Sequence, residues 1–306
     1  MAKQIWLYSC VDAGMSLSCW IWNRTPVGQV GMRPPYGANC LVTIRGVSYA
    51  VMESSGLGRS DWVEVLNGPV RLRCWWAEPV IAANDTESKP SINRVYVVLP
   101  EVFGVNGWVR TVADRLAAHG HPALVIPLFA RTAPDLELSY EPSDLAQGRR
   151  HKDATTTEQI LGDVAAAVSW LGVRYPQAAV HVVGFCFGGH AAFLAATLPG
   201  VKHAFDFYGA GVSRMRPGGG EPSLALLPEI KARLTCVFGT ADPLIPLEDR
   251  EAIGVALSKA DPACQRLRFV EYPGADHGFM CEARSSFNPQ ASAQGWSLLL
   301  GDDPAV

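Results

Sequence analysis

The stretch Val180–Phe193, VHVVGFCFGGHAAF, runs from valines into glycines and then into small apolar residues. Val180 to Val183 read as a buried strand, because β-branched residues suit a pleated surface covered on both faces. Gly184, Gly188 and Gly189 allow a sharp turn and a close strand-to-helix approach. The run after them predicts a helix. Cys186 sits at the turn itself. Its ordinary reading is a small apolar residue beneath a helix. The alternative is a thiol held on a strained turn to attack a substrate.

Working outward, two later strands also end in reactive residues. CVFGTADPLIP leads to Asp242, and FVEYPGADHGF leads to His277. Nucleophile, acid, histidine is the chain order of an α/β-hydrolase triad, and Gly184–Gly188 fits G-x-S-x-G with cysteine in place of serine. The chemistry needs these types. A helix N-terminus behind Cys186 favours a thiolate and later an oxyanion. A histidine moves the proton, and a carboxylate fixes its tautomer and stabilises the imidazolium. Taken singly, Asp242 could cap the loop before Pro243, and His277 could be a loop histidine; the three together favour the triad. His181, His190 and His203 are read as structural or surface residues. Cys236, Cys74, Cys264 and Cys281 are read as small core residues.

The rest of the chain supplies a frame. DWVEVLNGPVRLRCWWAEP predicts a hairpin about Asn67-Gly68. INRVYVVLP, ALVIP, HAFDFYG, LTCVFGT and LRFVEYPG predict further strands. Val109, Val112, Ala113, Leu116 and Ala117 mark a helix closed by Gly120. Thr155 with Glu158 predicts a capping box, followed by a helix face through Ile160, Val164, Ala167, Val168 and Leu171. A helix is expected over about Leu247 to Lys259, and Asn288-Pro289 should open a last one. Residues 130–153 read as an irregular polar insertion over one end of the sheet. Strands alternating with helices imply an α/β fold with a mainly parallel twisted sheet and helices on both faces. Ligands in such sheets bind beyond the carboxyl ends of the strands.

Residues 1–57 read as a weakly structured extension, and 58–306 as the α/β domain. RTPVGQVGMRPPYGANC has neither helical nor strand period, and Trp6, Trp20 and Trp22 lie in no clear pattern. A translation start near Met52 is one reading of this, which N-terminal sequencing of the native protein would test. The chain has 306 residues, 48% hydrophobic and 18% charged, with a net charge of -3. That composition is globular and offers nucleic acid no basic face. No apolar run is long enough to span a membrane. No signal peptide is read at the start, where Asp12 breaks a short apolar stretch. The 8 cysteines are scattered without a CxxC pair, so zinc spacing is absent and a disulfide framework is not expected. A cytoplasmic location, no cofactor, no metal, and a monomer or small homo-oligomer are the expectations.

From Asp61 to the C-terminus, the chain resembles the dienelactone hydrolase (carboxymethylenebutenolidase) family, a cysteine branch of the α/β-hydrolases. LPEVFGVNGWVRTVADRLAAHG, IPLFAR, VVGFCFGG, GTADPLIP and GADHGF carry the resemblance. It implies a triad of Cys186, Asp242 and His277. It implies an oxyanion hole from the backbone N–H groups of Phe187 and Val102. Glu101 would hold the resting thiol and swing away when substrate binds. The family's substrate arginines fall in segments that here contain Arg131, Arg149, Arg150 and Arg284, none in a unique register. The expected activity is the opening of a small lactone or ester, a dienelactone going to maleylacetate. A broader carboxylesterase or thioesterase is the alternative. A non-catalytic binder would not need all three triad residues, and a redox thiol lacks a resolving cysteine near Cys186 in sequence.

Overall fold

The computed structural model describes residues 58–79 and 92–301, and the backbone alone of β1 (Cys40–Ile44) and β2 (Val47–Val51). The chain divides into two compact units, Met1–Gly56 and Leu57–Val306. In the first, β1 and β2 pair antiparallel, with Val42 opposite Tyr49, where the composition suggested loop. Trp6, Trp20 and Trp22 lie outside the described residues.

The second unit is built on an eight-stranded sheet. Its strands are β3 (Arg59–Asn67), β4 (Val70–Glu78), β5 (Arg94–Leu99), β6 (Ala123–Val125), β7 (Ala179–Phe185), β8 (Val201–Phe207), β9 (Arg233–Gly239) and β10 (Leu267–Tyr272). Their order is β10-β9-β8-β7-β5-β6-β4-β3. From β10 to β6 every pairing is parallel. The β3–β4 hairpin closes one edge antiparallel, through β4 on β6. Central strands such as β5 are buried along nearly their whole length, as expected where helices shield a parallel sheet.

Among the described residues, six α-helices accompany this sheet: α1 (Gly107–Ala118), α2 (Pro142–Asp153), α3 (Thr157–Arg174), α4 (Phe187–Ala195), α5 (Leu247–Ala260) and α6 (Pro289–Leu300). The face read for α1 is buried at Val109, Val112, Ala113, Leu116 and Ala117. On α3, Ile160, Val164, Ala167 and Leu171 are buried, and Val168 is half-buried. Asn288 caps α6 by accepting from the Ala291 N–H at 3.0 Å, with Pro289 at the first position.

Two expectations fail here. The capping box lies one residue on: Thr156 accepts from Gln159 N–H at 3.3 Å, and Gln159 accepts from Thr156 N–H at 3.1 Å. Thr156 has the extended backbone a cap requires, whereas the Thr155 hydroxyl donates to the His151 carbonyl. The segment read as irregular ends in α2. That helix hid because Gly148 is its one buried residue, so it has almost no apolar period to detect.

Chain order places the chemistry. The chain runs β5, α1, β6, then crosses back past β5 through α3 to β7. The direction of winding therefore reverses between β5 and β7. A crevice forms beyond the strand ends at such a reversal. Glu101 follows β5, and Cys186 follows β7.

Candidate active site

The turn after β7 is tight because glycine permits it. A Cβ on Gly184 would lie 1.7 Å from the Gly188 carbonyl oxygen, far inside any real contact. Cys186 takes φ 56 and ψ -118, a positive-φ backbone that side chains rarely adopt. Its N–H donates to Phe207 O at 3.0 Å, and its carbonyl accepts from His190 N–H at 3.1 Å, which ties the turn to β8 and α4. The cysteine is half-buried and forms the N-cap of α4. Phe187, the first residue of that helix, has an N–H with no partner inside the helix.

Asp242 lies in the loop after β9, and His277 in the loop after β10. His277 Nδ1 is 2.8 Å from Asp242 Oδ2, and Asp242 Oδ1 accepts from Leu244 N–H at 2.8 Å. An ionised carboxylate only accepts, so Nδ1 carries the proton. Both residues are buried, at 2% and 5% exposure. Burial alone pushes the imidazole pKa down. The charge of Cys186 and the bond to Asp242 outweigh it and leave His277 well above its ordinary value. Nε2 is buried, and the Cys186 side chain favours the protonated ring both by its charge and as a hydrogen-bond partner.

Glu101 is 2% exposed. Its Oε1 accepts from Arg284 Nη1 at 2.7 Å, so its carboxylate is engaged by Arg284 rather than by the Cys186 thiol. Burial pushes Glu101 up, against the charges of Arg284 and His277. Tyr140, Asn106 and Cys281 pack around this pair. The Asn106 side-chain N–H and the Cys281 thiol each reach the Tyr140 hydroxyl, at 3.2 Å. None of the three carried a signal in the sequence beyond Cys281 standing four residues after His277.

A cavity of about 400 Å³ opens over these groups, and Cys186, His277, Val102, Phe187, Arg149 and Arg284 all line it. Arg131 and Arg150 do not. Arg131 is a structural residue: its guanidinium holds the buried Asp163 of α3 through bonds of 2.5 and 3.0 Å. Among the cations on the wall, Arg214 is bound to Asp249 at 2.6 Å. His190 also faces the cavity but is buried and held at both ring nitrogens, by Ala210 and Ser223, while His181 and His203 are buried deeper in the sheet. Cys74, Cys236 and Cys281 are buried as read, whereas Cys264 is exposed with φ 50. All five described cysteines are free. No helix among the described residues is long and apolar enough to cross a membrane.

Known proteins resemble this chain in sequence and fold. A Synechocystis sp. protein named "Putative carboxymethylenebutenolidase" is 36% identical over 240 residues, 78% of this chain and 93% of its own. A Pseudomonas putida carboxymethylenebutenolidase is 31% identical over 203 residues, 65% of this chain and 80% of its own. The crystal structure of a "Putative Dienelactone Hydrolase" from Klebsiella pneumoniae aligns with a TM-score of 0.67 at 24% identity, covering 80% of this chain and 97% of its own. That level of identity speaks for the α/β-hydrolase fold. Residues 81–301 match the profile of the dienelactone hydrolase family. The chain is a member of that hydrolase family.

Proposed function

We propose that this protein opens a dienelactone to maleylacetate through a Cys186–His277–Asp242 triad and an acyl-enzyme. The observation that carries the reading is the 2.8 Å bond between His277 and Asp242 in the cavity that Cys186 lines from a left-handed turn. The relatives named carboxymethylenebutenolidase support the substrate.

The thiolate of Cys186 attacks the lactone carbonyl, and an S–C bond forms. The N–H groups of Phe187 and Val102 hold the developing oxyanion, an effect typically worth about 3 kcal/mol per donor. Collapse breaks the ring C–O bond and gives an enolate and a thioester. The His277 imidazolium protonates the enolate. Neutral His277 then takes a proton from water, and the hydroxide attacks the thioester. The product leaves as a diacid, and the thiolate–imidazolium pair returns. A thiolate of this kind suits activated lactones and esters, whose leaving groups need little protonation.

Glu101 has its part in this resting pair. With its carboxylate held by Arg284, Cys186 is left to His277. Arg284 and Arg149 are the arginines on the cavity wall that could receive the substrate carboxylate, since a guanidinium binds one bidentately. Arg131 and Arg150 are withdrawn from that role.

The test is a panel of cis- and trans-dienelactone, aryl esters and thioesters, compared by kcat/KM with and without Cys186→Ala. Dienelactone should rank first, and the substitution should remove its turnover. Equal or faster turnover of uncharged esters would reject the diacid assignment. Full turnover in Cys186→Ala would reject the triad.

A further inference from the structure

The cavity has an apolar face of side chains that the triad and the arginines do not use, and the two oxyanion donors lend it their side chains while their backbone N–H groups serve the carbonyl. It is built from Val102, Phe103, Leu145, Phe187, Met215 and Leu244. Four of these are where one would expect them, in or beside the core. Met215 and Leu244 are not: they are 38% and 45% exposed, two large apolar side chains open to water at one cavity. Scattered exposed apolar residues are ordinary on a protein surface. Two that converge on the space above a nucleophile are a different matter, because apolar surface rimming a pocket marks a place where something apolar is covered.

Another part of the wall depends on a close approach of α2. A Cβ at Gly148 of α2 would lie 2.2 Å from the Val102 carbonyl oxygen. Only a glycine lets α2 dock on the loop after β5, and that docking brings Leu145, three residues earlier on the helix, to the cavity. The charges on the wall do not cancel this apolar character. Arg214 is paired with Asp249 and Lys152 with Asp153, which leaves Arg149 and the Glu101-bound Arg284 as the cations for a substrate carboxylate, apart from the apolar side chains. The volume also exceeds what a six-carbon lactone needs, since about 300 Å³ already falls in the range of drug-sized ligands.

We propose that the apolar face formed by Leu145, Phe187, Met215 and Leu244 is a second subsite, which takes an alkyl arm on the lactone. The substrate class is thereby a butenolide with an apolar substituent of several carbons, in addition to the compact diacid precursor. This rests on the hydrolase reading above. A lactone suits the site, because ring opening leaves both halves on one acyl-enzyme and the arm stays seated throughout.

The experiment uses 5-ethylidene-, 5-butylidene- and 5-heptylidene-2(5H)-furanone, enol lactones that share one ring and one enolate leaving group and differ only in the methyl, propyl or hexyl arm on the exocyclic carbon. In the wild type, kcat/KM should rise by about tenfold or more from methyl to hexyl, as added methylenes are buried. Leu244→Asn combined with Met215→Gln keeps the side-chain sizes and changes two residues already open to water. In that variant the hexyl-to-methyl ratio should fall toward one. A flat or falling wild-type series, or a ratio that survives the double substitution, overturns the subsite, as does turnover of dienelactone with none of the three butenolides. Cys186→Ala separates the two claims. If it abolishes turnover and the chain-length trend is absent, only the subsite fails; if turnover persists without Cys186, the hydrolase mechanism fails as well.

Discussion

Two buried histidines line one cavity, and the protein treats them in opposite ways. His277 Nδ1 donates to the Asp242 carboxylate, and its pKa is raised. His190 Nδ1 lies 3.0 Å from the Ala210 carbonyl, and Nε2 lies 2.7 Å from the Ser223 hydroxyl. A carbonyl only accepts, so Nδ1 of His190 carries the proton and Nε2 accepts from Ser223. Burial then pushes His190 down to about 4, with the charge of Lys152 adding to the shift. Both rings are equally dry. The difference is the partner: ionised groups hold one ring ready to carry a proton, and neutral dipoles hold the other as a brace. His181 and His203, deeper in the sheet and without a carboxylate, follow His190, at about 3 and about 2. Burial alone does not make a catalytic histidine.

Losing the Asp242 carboxylate would erase the difference between the two rings most severely. Asp242→Asn should leave the fold intact and lower kcat/KM on dienelactone by about a thousandfold or more, because the amide no longer fixes the tautomer or stabilises the imidazolium. Steady-state kinetics checks this; a loss under tenfold would put His277 in the same class as His190. A smaller effect is expected at Glu101. Glu101→Gln removes the charge that holds Arg284 and lies near His277, and should lower kcat/KM by up to about a hundredfold through misplacement of the site. Unaltered kinetics and an unaltered His277 titration would remove Glu101 from the machinery. The smallest catalytic effect belongs to His190. His190→Gln should cost about 1–3 kcal/mol of stability, because Ser223 and Ala210 lose a buried partner, while kcat/KM stays within a few-fold. Urea denaturation beside the same assay reads both quantities.

How much of this was legible in the sequence follows the same division. The parallel sheet, the turn at Cys186 and the strand ends carrying Asp242 and His277 are local signals: β-branched runs, glycines at fixed offsets, reactive residues just past a strand. α2 was invisible because it touches the core through a glycine and offers no apolar period. The role of Arg131 was unreadable because it is decided by Asp163, thirty-two positions away on another element. The Glu101–Arg284 pair spans 183 positions, and only the folded chain brings its members together. The choice of partner for each histidine is of this second kind, since His190 and His277 look alike in a string of letters.

The proposed mechanism requires one charge state, a thiolate at Cys186 beside an imidazolium at His277. The direct measurement is a pH titration of the His277 ring by nitrogen-15 NMR, in the wild type and in Cys186→Ala. A raised pKa means a ring still protonated above the ordinary histidine value of about 6.5. The wild-type ring should therefore remain an imidazolium through pH 7.5. In Cys186→Ala, where the strongest charge holding the proton is gone, the ring should release it at lower pH. A wild-type ring already neutral at pH 7.5, or one whose titration ignores the loss of Cys186, would contradict the ion pair at the centre of the mechanism.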